Sequence, residues 1–269
     1  MKKLVWLILL AAGFQLTAQT ESALKKHYED YYRQMRVQGD VRGVINALTH
    51  LNLLDYSVER RDTLAYVYAN NDQHLQALNL LGVDLSPEDS DIALQVKALS
   101  LKSLNQPKRS LEHFEALFDR NPNPYLSYEI ADLKIQVGEN AGALTAIEYG
   151  IEHTTDEMKY AFYERQQPYE VSLKSALIHL RGLAQYGMNR NNIDKAIASF
   201  DEALAMDPNF NLASLSKQAL ESRKQQAQEG EKPDNSREVK AAYQKRADPP
   251  VSMARYVSIP SNPAIACHR

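Results

Sequence analysis

Between residues 21 and 226 apolar side chains recur three and four positions apart, the spacing that puts them on one face of a helix. The clearest run is Asn191 to Phe210, where Ala196, Phe200 and Ala203 share a face and Asp207-Pro208-Asn209 stops the helix. Small, large, small is a packing code: the alanines let a second helix approach, and the phenylalanine fills the space between them. A lone helix cannot bury such a face, so the pattern predicts partner helices on either side.

A fixed step of 33 residues carries the turn position Gly39 to Asp72, Asn105 and Gly138. The same step carries Val44 to Ala77, Ser110 and Ala143; Leu48 to Leu81, Phe114 and Ile147; and Tyr32 to Ala65, Ala98 and Ala131. These tracks predict four helix-turn-helix units over 19–153. Past Ala143 the step fails. The next small residue of that track, Ala196, lies 53 positions on, so one step of 33 leaves an insertion of about 20 residues. It maps to 154–170, where Thr155 as a cap, with Met158, Ala161 and Phe162 on one side, predicts a short extra helix ended by Pro168. A fifth unit and a capping helix, with Leu212, Leu215 and Ala219 inward, are predicted for 171–226. The stretch 227–269 holds five of the chain's 11 prolines and little apolar periodicity, which predicts a disordered tail.

The spacing A-x3-F-x2-A-x4-P, carried by Ala196, Phe200, Ala203 and Pro208, resembles the second helix of a tetratricopeptide (TPR) repeat. The run Asp62 to Tyr68 is similar to the first-helix core of such a repeat, and Asn121-Pro122-Asn123-Pro124 to the stop after its second helix. The resemblance implies an all-α fold: a right-handed TPR-like α-solenoid of about five helix-turn-helix repeats, closed by the capping helix. It also implies a scaffold that holds a peptide or helix of a partner in a concave groove lined by first helices. By spacing, that groove would receive Glu29, Arg33 and Arg36 from the first unit and Asp62, Tyr66 and Asn70 from the second. Gln95 and Lys102 would follow from the third, and Tyr125, Tyr128 and Asp132 from the fourth. Tyrosines among mixed charges suit peptide recognition, the rings giving rigid area and the rim giving register. The Lys and Asn set with which some TPR domains grip a terminal carboxylate is missing here. The insert is the second candidate surface, through Tyr160, Phe162, Tyr163 and Tyr169; its structural alternative is to seal the mismatch between units four and five.

Composition agrees with short-turned helices, since the whole chain has only 10 glycines. A formal charge of −3 offers no phosphate-binding surface, and no nucleic-acid partner is expected. The start changes the compartment: Met1-Lys2-Lys3, an apolar run from Leu4 to Phe14, and small residues before Gln19 predict a signal peptide over 1–18. That run is short of the roughly 20 residues a bilayer needs. The expectation is an exported protein, periplasmic or secreted, with no integral span after cleavage and, lacking a cysteine after the apolar run, no lipid anchor. Cys267 is the single cysteine, so no intramolecular disulfide can form.

Candidate chemistry is sparse. No metalloprotease, nucleophile-elbow, P-loop or EF-hand motif occurs, and no two histidines stand four apart, so neither catalysis, cofactor nor metal is expected. Lys97 and Lys134 occupy places where apolar residues are usual: either their helices are rotated, or their stems lie over apolar surface with the charge in solvent. Glu88, Asp89 and Asp91 read as a solvated turn after Pro87. The expected function is a non-catalytic protein–protein interaction scaffold of the cell envelope. The alternative is an envelope enzyme, or a binder of glycans or small ligands, with its site near 154–170; a deep pocket with converging carboxylates beside Tyr160 or Tyr128 would mark it.

Overall fold

The structure, a computed structural model, describes residues 21–228. The expected signal peptide (1–18) and almost all of the expected tail (227–269) lie outside the described residues. The chain divides into two compact units, one up to Gly82 and one from Val83 on. The first contains α1 (21–38), α2 (Val41–Leu54), α3 (Val58–Ala69) and α4 (His74–Leu81). The second contains α5 (Asp91–Ser103), α6 (Pro107–Arg120), α7 (Pro124–Val137), α8 (Asn140–His153), β1 (Lys159–Phe162), β2 (Tyr169–Ser172), α9 (Leu173–Met188), α10 (Ile193–Met206) and α11 (Asn211–Gln228).

The 33-residue step is physical. Helices α3, α5 and α7 begin at residues 58, 91 and 124, and α2, α4, α6 and α8 at 41, 74, 107 and 140. The first helices are capped on the same step by Ser57, Ser90 and Asn123, whose side chains accept from Arg60, Ala93 and Leu126 backbone N–H groups. Gly39, Asp72, Asn105 and Gly138 all have positive φ, between 56° and 88°. Each ends its helix in a Schellman closure: Asp40, Gln73, Gln106 and Glu139 donate back to the carbonyls of Met35, Tyr68, Leu101 and Lys134. Only glycine, asparagine and aspartate enter that left-handed region cheaply, which explains the residue types at these turns.

The tracks predicted as packing contacts are buried, with Ala65, Ala77, Ala98, Ala131, Ala143, Ala196 and Phe200 all fully enclosed. In the first unit, Met35, Val44, Leu48 and Leu64 form one core. In the second, Leu94, Phe114, Leu126 and Leu133 belong to one cluster, and Ile147, Leu173, Leu177 and Phe210 to another. Phe200 lies so close to Gly182 that a Cβ there would meet its ring at 2.5 Å, so the α9–α10 contact requires glycine.

Three readings are corrected. The insert is not a helix: β1 and β2 form an antiparallel hairpin pairing Lys159 with Ser172 through to Phe162 with Tyr169. Its sequence alternates rather than turning every 3.6 residues, placing Tyr160 opposite Val171 and Phe162 opposite Tyr169, and Pro168 favours a turn over a continued helix. Helix α9 therefore starts 16 residues later than one step from α7 would put it, and the longer α9–α10 hairpin supplies the remaining four of the 20. On α11 the inward face is Leu212, Ala213 and Leu220, while Leu215 is exposed. Asp89 is not solvated. Its carboxylate holds the Lys97 Nζ at 2.8 and 2.7 Å, with both side chains buried, so the lysine charge is paired inside rather than carried to solvent. Lys134 also stays mostly covered: its stem lies over Gly142 and its charge is paired with Glu115 at 2.6 Å rather than left in solvent.

Candidate functional site

Helices α5 and α7 run as neighbouring first helices, and the β hairpin, extruded where the repeat step fails, packs against α7. Between them opens a cleft enclosing about 620 Å³, part of it open to solvent. Helix α5 contributes Gln95 and Leu99, α6 contributes Phe114, and α7 contributes Tyr125, Leu126 and Glu129. The remaining wall is strand β1, through Lys159, Tyr160 and Ala161, with Tyr163 just beyond it.

Behind Glu129 and Tyr160, which form the floor, lies a polar cluster that is internally satisfied. Lys102 Nζ lies 2.5 Å from Glu129 Oε2 and 3.1 Å from Asp132 Oδ2, and the Tyr160 hydroxyl donates to Glu129 Oε1 at 2.8 Å. Gln136 donates to Asp132 at 3.0 Å. Burial works to lower the Lys102 pKa, but the two carboxylates outweigh it and hold the ammonium charged beyond its ordinary range. Burial, then the Glu129 charge, pushes the Tyr160 phenol well above its usual value, so it stays a hydrogen-bond donor.

Aromatic rings continue from the floor into the core. Tyr160 packs on Tyr128 with centroids 4.1 Å apart, Phe162 lies 5.2 Å from Tyr160 and 5.0 Å from Phe210, and Phe210 meets His179 at 5.2 Å. Tyr169 stands against Phe162 and donates to Glu164 at 2.5 Å; its phenol is pushed up by burial and by that carboxylate. Phe162 and Tyr169 therefore seal the seam between α7 and the α9–α11 helices.

The residues expected in the groove divide accordingly. Gln95 and Tyr125 line this cleft, as do Tyr160 and Tyr163 from the insert, whereas Lys102, Tyr128 and Asp132 lie behind its lining, tied together through Glu129 and Tyr160. Three of the expected positions, Asp62, Gln95 and Tyr128, lie on one 33-residue track and are buried, so that face of the first helices points inward rather than to an open groove. Asp132 is buried too, held by Lys102 and Gln136. In the first unit Glu29, Arg33 and Arg36 are exposed on α1, Arg33 pairing with Asp30 and Arg36 lying over the Tyr32 ring. There Asp62 is bound by Arg61 at 2.7 Å, while Tyr66 and Asn70 are half-buried. Glu129, Leu99, Phe114, Lys159 and Ala161 were not anticipated. Glu129 carried a readable signal: it stands one step of 33 after Val96, a core position, so a carboxylate there demands a buried partner.

Antiparallel helix pairs with left-handed closures at a constant 33-residue step define the architecture. The fold is TPR-like. No family model and no curated protein sequence matches the chain. Solved structures with similarity to it include a tetratricopeptide repeat protein from Parabacteroides merdae ATCC 43184, at 18% identity and a TM-score of 0.40, covering 72% of this chain and 70% of that one. Another is MamA, at 16% identity and a TM-score of 0.38, covering 80% of this chain and 93% of that one. Within the TPR-like frame, the hairpin is the irregular element, and the cleft exists because of it. Among the described residues no helix is long and apolar enough to cross a membrane.

Proposed function

We propose that this protein is a non-catalytic protein–protein interaction scaffold of the cell envelope, and that the cleft between α5, α7 and the β hairpin is where it holds its partner. The carrying observation is the combination of apolar walls with a floor whose charges are already committed: Lys102, Glu129, Asp132 and Tyr160 satisfy one another. Such a site favours a neutral, apolar group of a ligand, and the Glu129 carboxylate in its wall has both oxygens engaged. The envelope part of the reading rests on the cationic and apolar start of the chain. A photo-crosslinking residue in place of Tyr163, in the full-length chain expressed in its native host, should give a discrete protein adduct that an equivalent label at Glu152 does not. Fractionation of the same cells should place the adduct in the envelope. Reproducible absence of a Tyr163-specific adduct would overturn the scaffold reading, and a cytoplasmic adduct the envelope part.

A second reading draws on the same cleft, whose mostly apolar lining with one carboxylate has the make-up of a small-ligand site. A small-ligand or glycan site would be marked by converging carboxylates beside Tyr160 or Tyr128, and Glu129 is the carboxylate that lines the cleft there. Its oxygens are taken by Lys102 and Tyr160, which is why the scaffold reading is preferred.

A further inference from the structure

Strand β1 borders the cleft with three consecutive residues, Lys159, Tyr160 and Ala161, and β2 contributes none to the lining. Since side chains alternate across a strand, three in a row mean that the strand's edge, and not merely one of its faces, forms the wall. Among the described residues the sheet has two strands, so β1 pairs with β2 on one side only. Which backbone groups are left over follows from register. The Leu173 amide donates to the Met158 carbonyl at 2.8 Å, and these two residues lie directly opposite in the register that pairs Lys159 with Ser172. Met158 and Leu173 are therefore a hydrogen-bonded pair, and antiparallel pairs alternate. Tyr160 and Phe162 turn their main-chain groups towards β2, whereas Lys159 and Ala161 turn theirs to the outer edge. Those same two residues line the cleft.

We propose that this edge is a docking strand: an extended segment of a partner protein adds to β1 through the main-chain groups of Lys159 and Ala161 and places one large apolar side chain in the cleft. This rests on the scaffold reading and specifies how the site recognises its partner. The chemistry of the occupant is set by three features. An open strand edge matches the repeat of an extended chain and not of a helix. The walls offered by Leu99, Phe114, Tyr125 and Tyr163 are apolar or aromatic, and Glu129 is already neutralised by Lys102 and bonded by Tyr160. A cationic side chain would find no free carboxylate there. The exposed Lys159 on the edge guards against two copies pairing through β1, since their lysines would be brought together.

The test uses the full chain and a panel of capped heptapeptides of alternating threonine and valine, with leucine, phenylalanine, glutamine, aspartate or lysine at the centre. Leucine or phenylalanine should bind at least tenfold tighter than lysine. N-methylation scanned along the tightest peptide should abolish binding at alternate amides and be tolerated at the intervening ones, a two-residue rhythm that only strand addition produces. Ala161→Pro removes the outward N–H at an edge position, where proline is accommodated; affinity should fall tenfold or more, while Ala161→Val retains it. No binding by any panel member, a scan without the two-residue rhythm, or an Ala161→Pro variant that is folded and binds like wild type would each overturn the proposal. If that variant does not fold, the N-methyl scan on the wild-type chain decides. Self-association abolished by Ala161→Pro would assign the edge to a second copy and likewise overturn it. A Tyr163-specific adduct combined with a flat scan would leave the scaffold reading standing and remove only strand addition.

Discussion

Helix α5 carries two inward lysines, and they hold two different regions together. Lys97 is 2% exposed and grips Asp89, 6% exposed and eight residues earlier, while also donating to the Asp84 carbonyl at 2.9 Å. This pins the 83–90 loop to the helix that follows it. Lys102 is 18% exposed and reaches Glu129 and Asp132, on the next first helix. The first pair is local and closed, whereas the second is long-range, shared between two carboxylates and joined to the hairpin by Tyr160. A buried ion pair gives little net stability compared with a hydrophobic replacement, but losing one partner is costly. The difference in surroundings therefore assigns the roles: the Lys97 region fixes the chain's path, and the Lys102 region fixes the floor of a cleft.

Substitutions can break this contrast, and the largest effect belongs to the closed pair. Asp89→Ala strands the Lys97 ammonium in the interior and should destabilise the second unit by about 3–5 kcal/mol, read from urea unfolding. If Asp89→Ala cost less than Lys102→Met, the assignment of roles would be reversed. Lys102→Met leaves Glu129 and Asp132 close together but nearer to water, and a loss of about 2–3 kcal/mol is expected in the same assay. It should also loosen the cleft, seen as faster hydrogen exchange in β1 than in the 83–90 loop.

Tyr160→Phe deletes one hydrogen bond to a carboxylate and should cost about 1.5 kcal/mol at neutral pH. Its pH dependence is the sharper probe. The folded-state values of Lys102 and Tyr160 both lie above their ordinary values of 10.5 and 10.0. In each case the folded state keeps its proton after the unfolded state has released it, so the contribution is complete below those values and is lost as pH rises above them. Unfolding midpoints should therefore fall steeply above about pH 10, and Tyr160→Phe should make that fall shallower. The smallest effect is expected from Arg109→Ala, which removes an exposed 3.0 Å pair with Asp84 on the loop that Lys97 pins. A change within about 0.5 kcal/mol would show that the loop is held from inside and not from its surface.

Much of the fold was legible because a repeat states its evidence several times. Gly39, Asp72, Asn105 and Gly138 could be aligned before any of them was known to be left-handed, and the alanine tracks required close packing wherever they fell. The insert was misread because one copy of a short pattern is ambiguous: Met158, Ala161 and Phe162 fit a helical face, while Tyr160 and Phe162 fit a strand equally well. Only pairing with Tyr169 and Val171, across Pro168, selects the hairpin. The cleft was half-legible. Its tyrosines and Lys102 were in view, but the buried state of Asp62, Gln95 and Tyr128 depends on how far each helix is rolled about its axis, and spacing leaves that roll free within tens of degrees. A carboxylate in a polar turn is usually solvated, so Asp89 gives no sign of burial in the sequence, and nothing in one dimension joins it to Lys97.

The constant spacing of the left-handed closures has a consequence for how such a chain can change length. Excising residues 106–138 would join Asn105 directly to Glu139, keeping a residue of the right kind at the turn and leaving α5 followed by α8. A cut one residue longer or shorter would put a different residue in place of Asn105 at the left-handed position or of Glu139 as the donor that closes the turn. Genetic duplication or loss in this region is thus quantised in whole copies, and the 20-residue excess around the hairpin is the one departure that the described residues contain.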